Sequence, residues 1–440
     1  MSEAPLLAGC AGVEITPPVG IHMGGYWGRK SGAVGVRDPL MAKVLVLARG
    51  EGRAALAALD LVGLEAETVQ QIRAGLEARA GVPAGAAMVC CSHTHAGPLT
   101  LPFRGMGDLD QAYLARVREA VVAAGAQAAG QLRPVSLAYA RVPARLAINR
   151  RQQREGRMVI GSNPEGPVAE YAHVLKVGEV ATLFSHACHP VILGNGNHQI
   201  SAEFPGAAAR LVEAQTGRPA LFVNGACGDL NPRLAHGDFD KVDQAGAELA
   251  GAVMGGLEEA AEVEGEGLAW RGERVPLPLM DPPPRLAAEL EKLGLQLKAE
   301  IRRIAADGGD AWAQRVPRDR LEWAEAMLAL ARRGARGQNQ PFEIQALRLG
   351  GAVLLGMEGE IFVRYQLDLE PASPLQPALL CGYANGCIGY VPTAGEYPRG
   401  GYEVDEAYKV YPSVQMIGPE SEGVIRAASA RLLEGLASGR

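Results

Sequence analysis

The sequence predicts an α/β fold of mixed β-sheets with flanking helices, plus a helical insertion. Three observations carry this. Short apolar runs alternate with segments of helical spacing through residues 41–259. Glycine (56 residues) and proline (29 residues) repeatedly end those runs, so strands are short and turns many. Between Pro282 and Gly337 the composition shifts to Arg, Glu, Ala and Leu, with leucines at helical spacing at Leu286, Leu290, Leu293 and Leu297.

Residues 41–47 and 54–61 read as strands, with Asp60 near the end of the second. Residues 65–80 have helical spacing and stop before Gly81-Val82-Pro83. The apolar run 87–91 is a buried strand that delivers Ser92-His93-Thr94-His95, and 109–131 is a helix. A hairpin over 174–184 leads into Ser185-His186-Ala187-Cys188-His189-Pro190. Helices follow at 202–216 and 241–259, with a strand at 220–223 between them. The segment 282–337 reads as a helical hairpin, its second run at 321–332, acting as a lid, an oligomer contact or a solvated excursion. Strands at 341–349 and 352–357 close around Gly350-Gly351.

Composition excludes several classes. The 440 residues are 48% apolar with a formal net charge of −6, which argues against disorder and against a nucleic-acid carrier. No stretch reaches the ~18 apolar residues that span a bilayer. Leu7-Ala8-Gly9-Cys10 resembles a lipoprotein cleavage box, but the segment before it carries Glu3, no Lys or Arg and too short an apolar stretch, so Cys10 reads as entering a first strand. Seven cysteines, odd in number and without a CxxC, fit free thiols in a reducing compartment. A cytoplasmic location is expected.

Four of the eight histidines fall in two tight clusters. His93 and His95 follow a buried strand, where i and i+2 share a face, and Gly97-Pro98 then turns the chain away. Two imidazoles there can address one metal, or one can ligate while the other handles protons. His186 and His189 form the second cluster, followed beyond a Gly-Asn-Gly-Asn loop by His198. Zinc needs further ligands, and Glu358 and Glu360, either side of Gly359, are the carboxylate candidates; spacing does not choose between them. A cysteine hydrolase using Cys90, Cys91 or Cys188 has only adjacency behind it, because buried thiols are usually inert. An amidohydrolase barrel lacks its eightfold strand–helix count here.

Taken in order, these segments resemble the catalytic domain of the neutral/alkaline, non-lysosomal ceramidases. Gly12-Val13-Glu14-Ile15-Thr16-Pro17-Pro18 is similar to that family's opening, and Thr94 with its flanking histidines and Gly97-Pro98 to its THTHSGP-type motif. His189-Pro190-Val191 with Asn197-His198, Gly359-Glu360-Ile361-Phe362, and Gly389-Tyr390-Val391-Pro392 with Gly401-Tyr402-Glu403 resemble its later segments. The resemblance spans nearly the whole chain, so residues 1–440 are expected to form one ceramidase-like catalytic domain carrying the 282–337 hairpin. It implies one Zn²⁺ per chain held by His93, His189, Glu360 and Tyr402, with His95 beside the metal. Asn149-Arg150 resembles a segment whose arginine faces substrate.

Two departures stand out. The family's GDVSPN-type segment reads Gly228-Asp229-Leu230-Asn231-Pro232-Arg233, with Asn231 where the serine would be. Neither a secretion signal nor the carboxy-terminal β-sandwich of secreted ceramidases is expected. The implied activity is hydrolysis of an N-acyl amide by a zinc-activated water. His95 would transfer a proton to the leaving nitrogen, while Arg150 and Asn231 hold an oxyanion or a polar substrate group and His198 lines the substrate side. Alternatives are a same-fold hydrolase of a small polar amide or ester, and a non-catalytic metal-binding homologue. The expected partner is a small-molecule or lipid N-acyl substrate, with a homo-oligomer allowed and no nucleic acid or transmembrane segment.

Overall fold

The three largest sheets, all mixed, carry most strands of the chain in a computed structural model that describes residues 4–265, 267–283 and 285–439. Glu3 and residue 284 of the 282–337 segment lie outside the described residues. The fold is α/β, as the sequence predicts, and each sheet contains one parallel pair among antiparallel neighbours.

The first sheet runs Ala87–Cys91, Gly52–Leu59, Met41–Arg49, Leu7–Glu14, Arg133–Pro134, with the first two parallel. Met41–Arg49 and Gly52–Leu59 are buried along most of their length, as expected when helices cover a sheet. Ala66–Ala80 and Gln111–Ala129 pack on it. The first ends at Gly81 in the left-handed conformation, and the second starts where the Asp110 side chain accepts from Tyr113 N at 2.9 Å. The second sheet runs Ala220–Asn224, Ala181–His186, Tyr171–Val177, Leu137–Pro143, Ala261–Glu262, with the first two parallel and the helices Glu203–Thr216 and Phe239–Glu259 packed against it. The third runs Leu268–Pro278, Asn339–Leu349, Ala352–Met357, Ala378–Cys381, its last two strands parallel. The helix Ser421–Ala437 covers one face.

The carboxyl ends of the three parallel pairs meet. Cys91 N donates to Tyr383 O at 3.1 Å, and Gly382 N donates to Asn224 O at 3.0 Å. Fully buried Asn224 also donates from Nδ2 to Ser92 O at 2.9 Å and to Cys188 O at 3.1 Å. One residue, through its side-chain amide and its backbone carbonyl, therefore links the segments that leave all three sheets. A buried amide with its hydrogen bonds satisfied is stable there, and an apolar replacement would leave two carbonyls without a donor.

Between Leu268–Pro278 and Asn339–Leu349, which pair with each other, the chain makes the helices Leu286–Ala306 and Ala311–Arg332. Lys298–Glu325 (2.8 Å) and Arg332–Glu291 (2.7 Å) show that the two run antiparallel. The second begins ten residues before the sequence-predicted start at 321, with Asp310 as its cap and Pro317 inside it. Pro317 forfeits one backbone donor, but the buried side chains of Gln314, Trp323, Ala324 and Met327 carry the helix through. Two other elements escape a reading by apolar runs. Ala147–Arg154 is half Arg and Gln and yet pairs with both Leu230–Pro232 and Arg157–Asn163. Leu268–Pro278 is a half-exposed edge strand carrying Arg271, Glu273 and Arg274. No helix among the described residues is long and apolar enough to cross a membrane.

Candidate metal centre

His93 lies just beyond the strand Ala87–Cys91, in the left-handed region with φ 68°. A non-glycine residue there costs about 1 kcal/mol or more, so its surroundings must hold it. They do: His93 N donates to Leu61 O at 2.9 Å, its ring stacks on Tyr383 at 4.0 Å, and its Nδ1 sits 2.6 Å from Val62 O. The sequence expectation that His93 and His95 share a strand face is therefore corrected. A backbone turn, not strand alternation, brings the rings to 4.7 Å of each other.

His189 Nδ1 faces two carbonyls, Cys227 O at 2.6 Å and Leu230 O at 3.0 Å. Carbonyls only accept, so Nδ1 of both His93 and His189 carries the proton and both Nε2 atoms present lone pairs. Those lone pairs point at each other's neighbours. His95 Nε2 is 3.0 Å from His93 Nε2, and Glu360 Oε2 is 3.0 Å from His189 Nε2 and 3.4 Å from His93 Nε2. The ligand atoms of His93, His95 and His189 all lie within 4.8 Å of one another. Several acceptors converging in a buried space need a cation between them. The imidazole nitrogens of His93 and His189 with the Glu360 carboxylate fit a zinc-type ion, and His95 stands beside them.

Burial opposes a charge on Glu360, but the closeness of His93 and His189 holds its carboxyl well below the usual range. Its other oxygen accepts from the Tyr411 hydroxyl, and Tyr383 OH lies 3.4 Å from Oε2. Burial, then His93 and His189, push His95 well down, and burial and Arg150 hold His189 at about 4. Both rings are neutral at pH 7, the form that ligates metal. Glu358 goes elsewhere: its carboxylate accepts from Glu343 N at 2.9 Å, and burial pushes it up to about 7. The bend between the two glutamates is tight, and Gly228 lies against the Glu360 carbonyl so closely that any Cβ would overlap it.

Arg150 is fully engaged. Nε donates to Glu403 at 2.8 Å, Nη2 to Tyr390 OH at 2.9 Å and Nη1 to Asn231 Oδ1 at 3.3 Å, with His189 Nε2 3.5 Å from Nη1. Because a guanidinium only donates, this contact fixes the Asn231 amide: the oxygen faces Arg150 and the NH₂ is left as the free donor. Glu403 is shared with Arg151, which also pairs with Glu396 at 2.8 Å. Tyr402 is 39% exposed, its ring 5.9 Å from that of Tyr390, and no hydrogen bond joins it to Glu360 or the histidines. Burial and the Glu360 charge push its hydroxyl up to about 12. Buried Tyr383, Tyr390 and Tyr411 stand nearer the cluster. His198 is on a neighbouring loop with Nδ1 3.1 Å from Ser31 Oγ, and His186 bonds Tyr171 O at 2.9 Å; neither belongs to the cluster.

Reading by histidine clusters misses the residues that aim His95. Arg29 donates to Gly24 O and His95 O at 2.6 Å each and to Asn197 O at 3.2 Å. Gly25, at φ 88°, lies so close that a Cβ would overlap the His95 ring, and Tyr26 meets that ring edge-on at 5.0 Å. Gly24-Gly25-Tyr26 is a visible sequence signal for a close backbone approach, but nothing in it says what is approached.

The arrangement of sheets that presents this centre is a neutral-ceramidase-like architecture. It is similar to the crystal structure of the neutral ceramidase from Pseudomonas aeruginosa, with a TM-score of 0.74 at 20% identity over 100% of this chain and 75% of that one. A ceramidase complexed with C2 gives a TM-score of 0.75 at 18% identity, over 99% and 76%. No protein-family model and no curated protein matches the sequence.

Proposed function

We propose that the chain is a metal-dependent amide hydrolase of the ceramidase type, with one zinc ion held by His93, His189 and Glu360. The observation that carries this is the pair of fixed tautomers, His93 on Val62 O and His189 on Cys227 O, which turn two lone pairs and the Glu360 carboxylate toward one point. Zinc bound there supplies Lewis acidity toward an amide carbonyl and makes water nucleophilic at neutral pH.

The chain's own residues supply the rest. His95, neutral and beside the ligands, takes the proton from water and returns it to the leaving nitrogen. Arg150, held by Glu403 and Tyr390, is a rigid positive charge facing the carbonyl oxygen, and the Asn231 NH₂ donates to the same developing oxyanion. Asn231 has no hydroxyl to acylate, so attack by water is direct. Tyr411 and Tyr383 keep Glu360 oriented. Tyr402 stands on the substrate side as a fourth ligand or a pocket wall.

Ceramide is one substrate consistent with the fold. A small polar amide is the second reading, favoured by Asn231 standing where the family's serine would be. Metal analysis and an N-acyl substrate panel test the proposal together. Wild type should carry about one zinc per chain, His93→Ala should lose it, and His95→Ala should keep it while kcat falls by about 10²–10⁴. Full turnover by metal-free protein would sink the reading.

A further inference from the structure

Tyr411 reaches Glu360 from a part of the chain with no ladder of hydrogen bonds to hold it. Two short helical turns, Tyr402–Glu406 and Ala407–Lys409, come before it, and residues 410–416 belong to no helix or strand. A phenol on a loose loop could not hold a carboxylate at one angle. Yet Tyr411 is buried and its hydroxyl donates to Glu360 Oε1. The loop must be fixed by other residues.

Those residues are Phe103 and Arg104, on the segment that leaves His95 through Gly97-Pro98. The Phe103 ring meets the Tyr411 ring edge-on at 4.9 Å. Arg104 N donates to Val410 O at 2.7 Å. Its guanidinium donates from Nη1 to Lys409 O at 3.3 Å, to Tyr411 O and to Ser413 O at 3.2 Å, and from Nη2 to Pro412 O at 2.9 Å. One residue thus engages the five consecutive carbonyls 409 to 413, with that of Tyr411 in the middle. Carbonyl oxygens turned inward together repel one another, and a planar cation with several donors holds them so. The Arg104 side chain is only 13% exposed, so water is a poor substitute for it. The helical insertion closes the loop from its far end: Trp323, on the helix Ala311–Arg332, donates from Nε1 to Val414 O at 2.9 Å.

We propose that Arg104 is a positioning residue for the metal centre: its guanidinium gathers the 409–413 carbonyls, which seats the Tyr411 hydroxyl on Glu360 and aims that carboxylate at the ion. The ion itself rests on the hydrolase reading above, whereas the seating of Tyr411 does not. A purely structural Arg104 would differ in one respect. Its loss would lower stability but would leave Tyr411 and the metal affinity of the folded protein unchanged.

Two measurements on the full chain separate these roles. In the first, Tyr411 is replaced by 3-fluorotyrosine and followed by fluorine NMR without metal. The otherwise unaltered protein should give one narrow resonance. Arg104→Ala should shift and broaden it, and added methylguanidinium, but not methylammonium, should restore it. In the second, zinc affinity is measured by competition with a chelating dye. Arg104→Ala should weaken it about 10-fold, the low end for a residue that supports a ligand. On top of Tyr411→Phe the same substitution should change it by less than about 2-fold, because the link is already cut. An unchanged fluorine spectrum, or losses of zinc affinity that simply add, would overturn the proposal. Arg104→Lys keeps the charge without the fork and decides where Arg104→Ala does not fold: a spectrum and an affinity like those of wild type would overturn the proposal equally. A wild type that binds no zinc would remove the hydrolase reading and the aiming at an ion with it, and the seating of Tyr411 would stand or fall on the fluorine spectra. Zinc bound equally by wild type and the Arg104 variants would remove the role of Arg104 and leave the centre.

Discussion

Glu360 keeps a negative charge in a place where burial alone would neutralise it, because two imidazoles and two tyrosines surround it. That local logic explains what can be read from the residues. His93, His95, His189 and Glu360 stand out because histidine is rare here and because glycine and proline beside them end strands. Tyr383 and Tyr411 carry no comparable signal: they join Glu360 only through folding, from positions far along the chain. His186 shows the opposite case, a clustered histidine that the structure gives a different role. Burial, reinforced by His173 and opposed by the Tyr171 carbonyl, holds it at about 4 against an ordinary 6.5. The folded state thus binds fewer protons than the unfolded one between those values. Stability from this group is present above pH 6.5 and is lost as pH falls to 4, a loss of about 3 kcal/mol. His186→Gln keeps a donor for Tyr171 O and removes the titration. Melting temperatures at pH 7 and pH 4.5 should therefore rise for the variant relative to wild type as the pH drops. A difference that does not change with pH would refute the assignment.

At the scale of elements, periodicity recovers the covered strands and their helices, because burial imposes an apolar pattern on them. It fails where pairing is satisfied by polar side chains, as in Ala147–Arg154, which places Asn149, Arg150 and Arg151 at the site. The contact between helix and sheet is polar in one spot as well. Arg73, on the helix Ala66–Ala80, reaches Glu343 on Asn339–Leu349 through two hydrogen bonds of 3.1 and 2.7 Å, and donates to Ala87 O at 2.8 Å. The pair joins the first sheet's helix to the third sheet, with both side chains largely buried. Removing Arg73 leaves the largely buried Glu343 with only the half-exposed Arg274, at 3.3 Å, so Arg73→Ala should cost about 3 kcal/mol. Urea unfolding measures this directly. A loss under about 1 kcal/mol would mean that water screens the pair as it does a surface bridge.

Over the whole molecule, the candidate metal centre is the point where three sheets end. His93 leaves the first, His189 the second and Glu360 the third, and Asn224 ties the same three exits through its hydrogen bonds. An ion shared by these residues would join sheets that packing and the hydrogen bonds of Asn224 also hold together. Its binding free energy would then belong to the stability of the whole fold and not to one loop. At a free concentration a thousandfold above its Kd, zinc would contribute about 4 kcal/mol. Chelation should accordingly lower the melting temperature by several degrees, with far-UV circular dichroism and tryptophan fluorescence shifting together, and added zinc should restore both. If only the fluorescence of Trp27 and Trp323 moved, the ion would be tied to the loops beside them alone. If neither probe moved, the convergence of lone pairs at His93 and His189 would need another occupant, and the hydrolase proposal would fall with it.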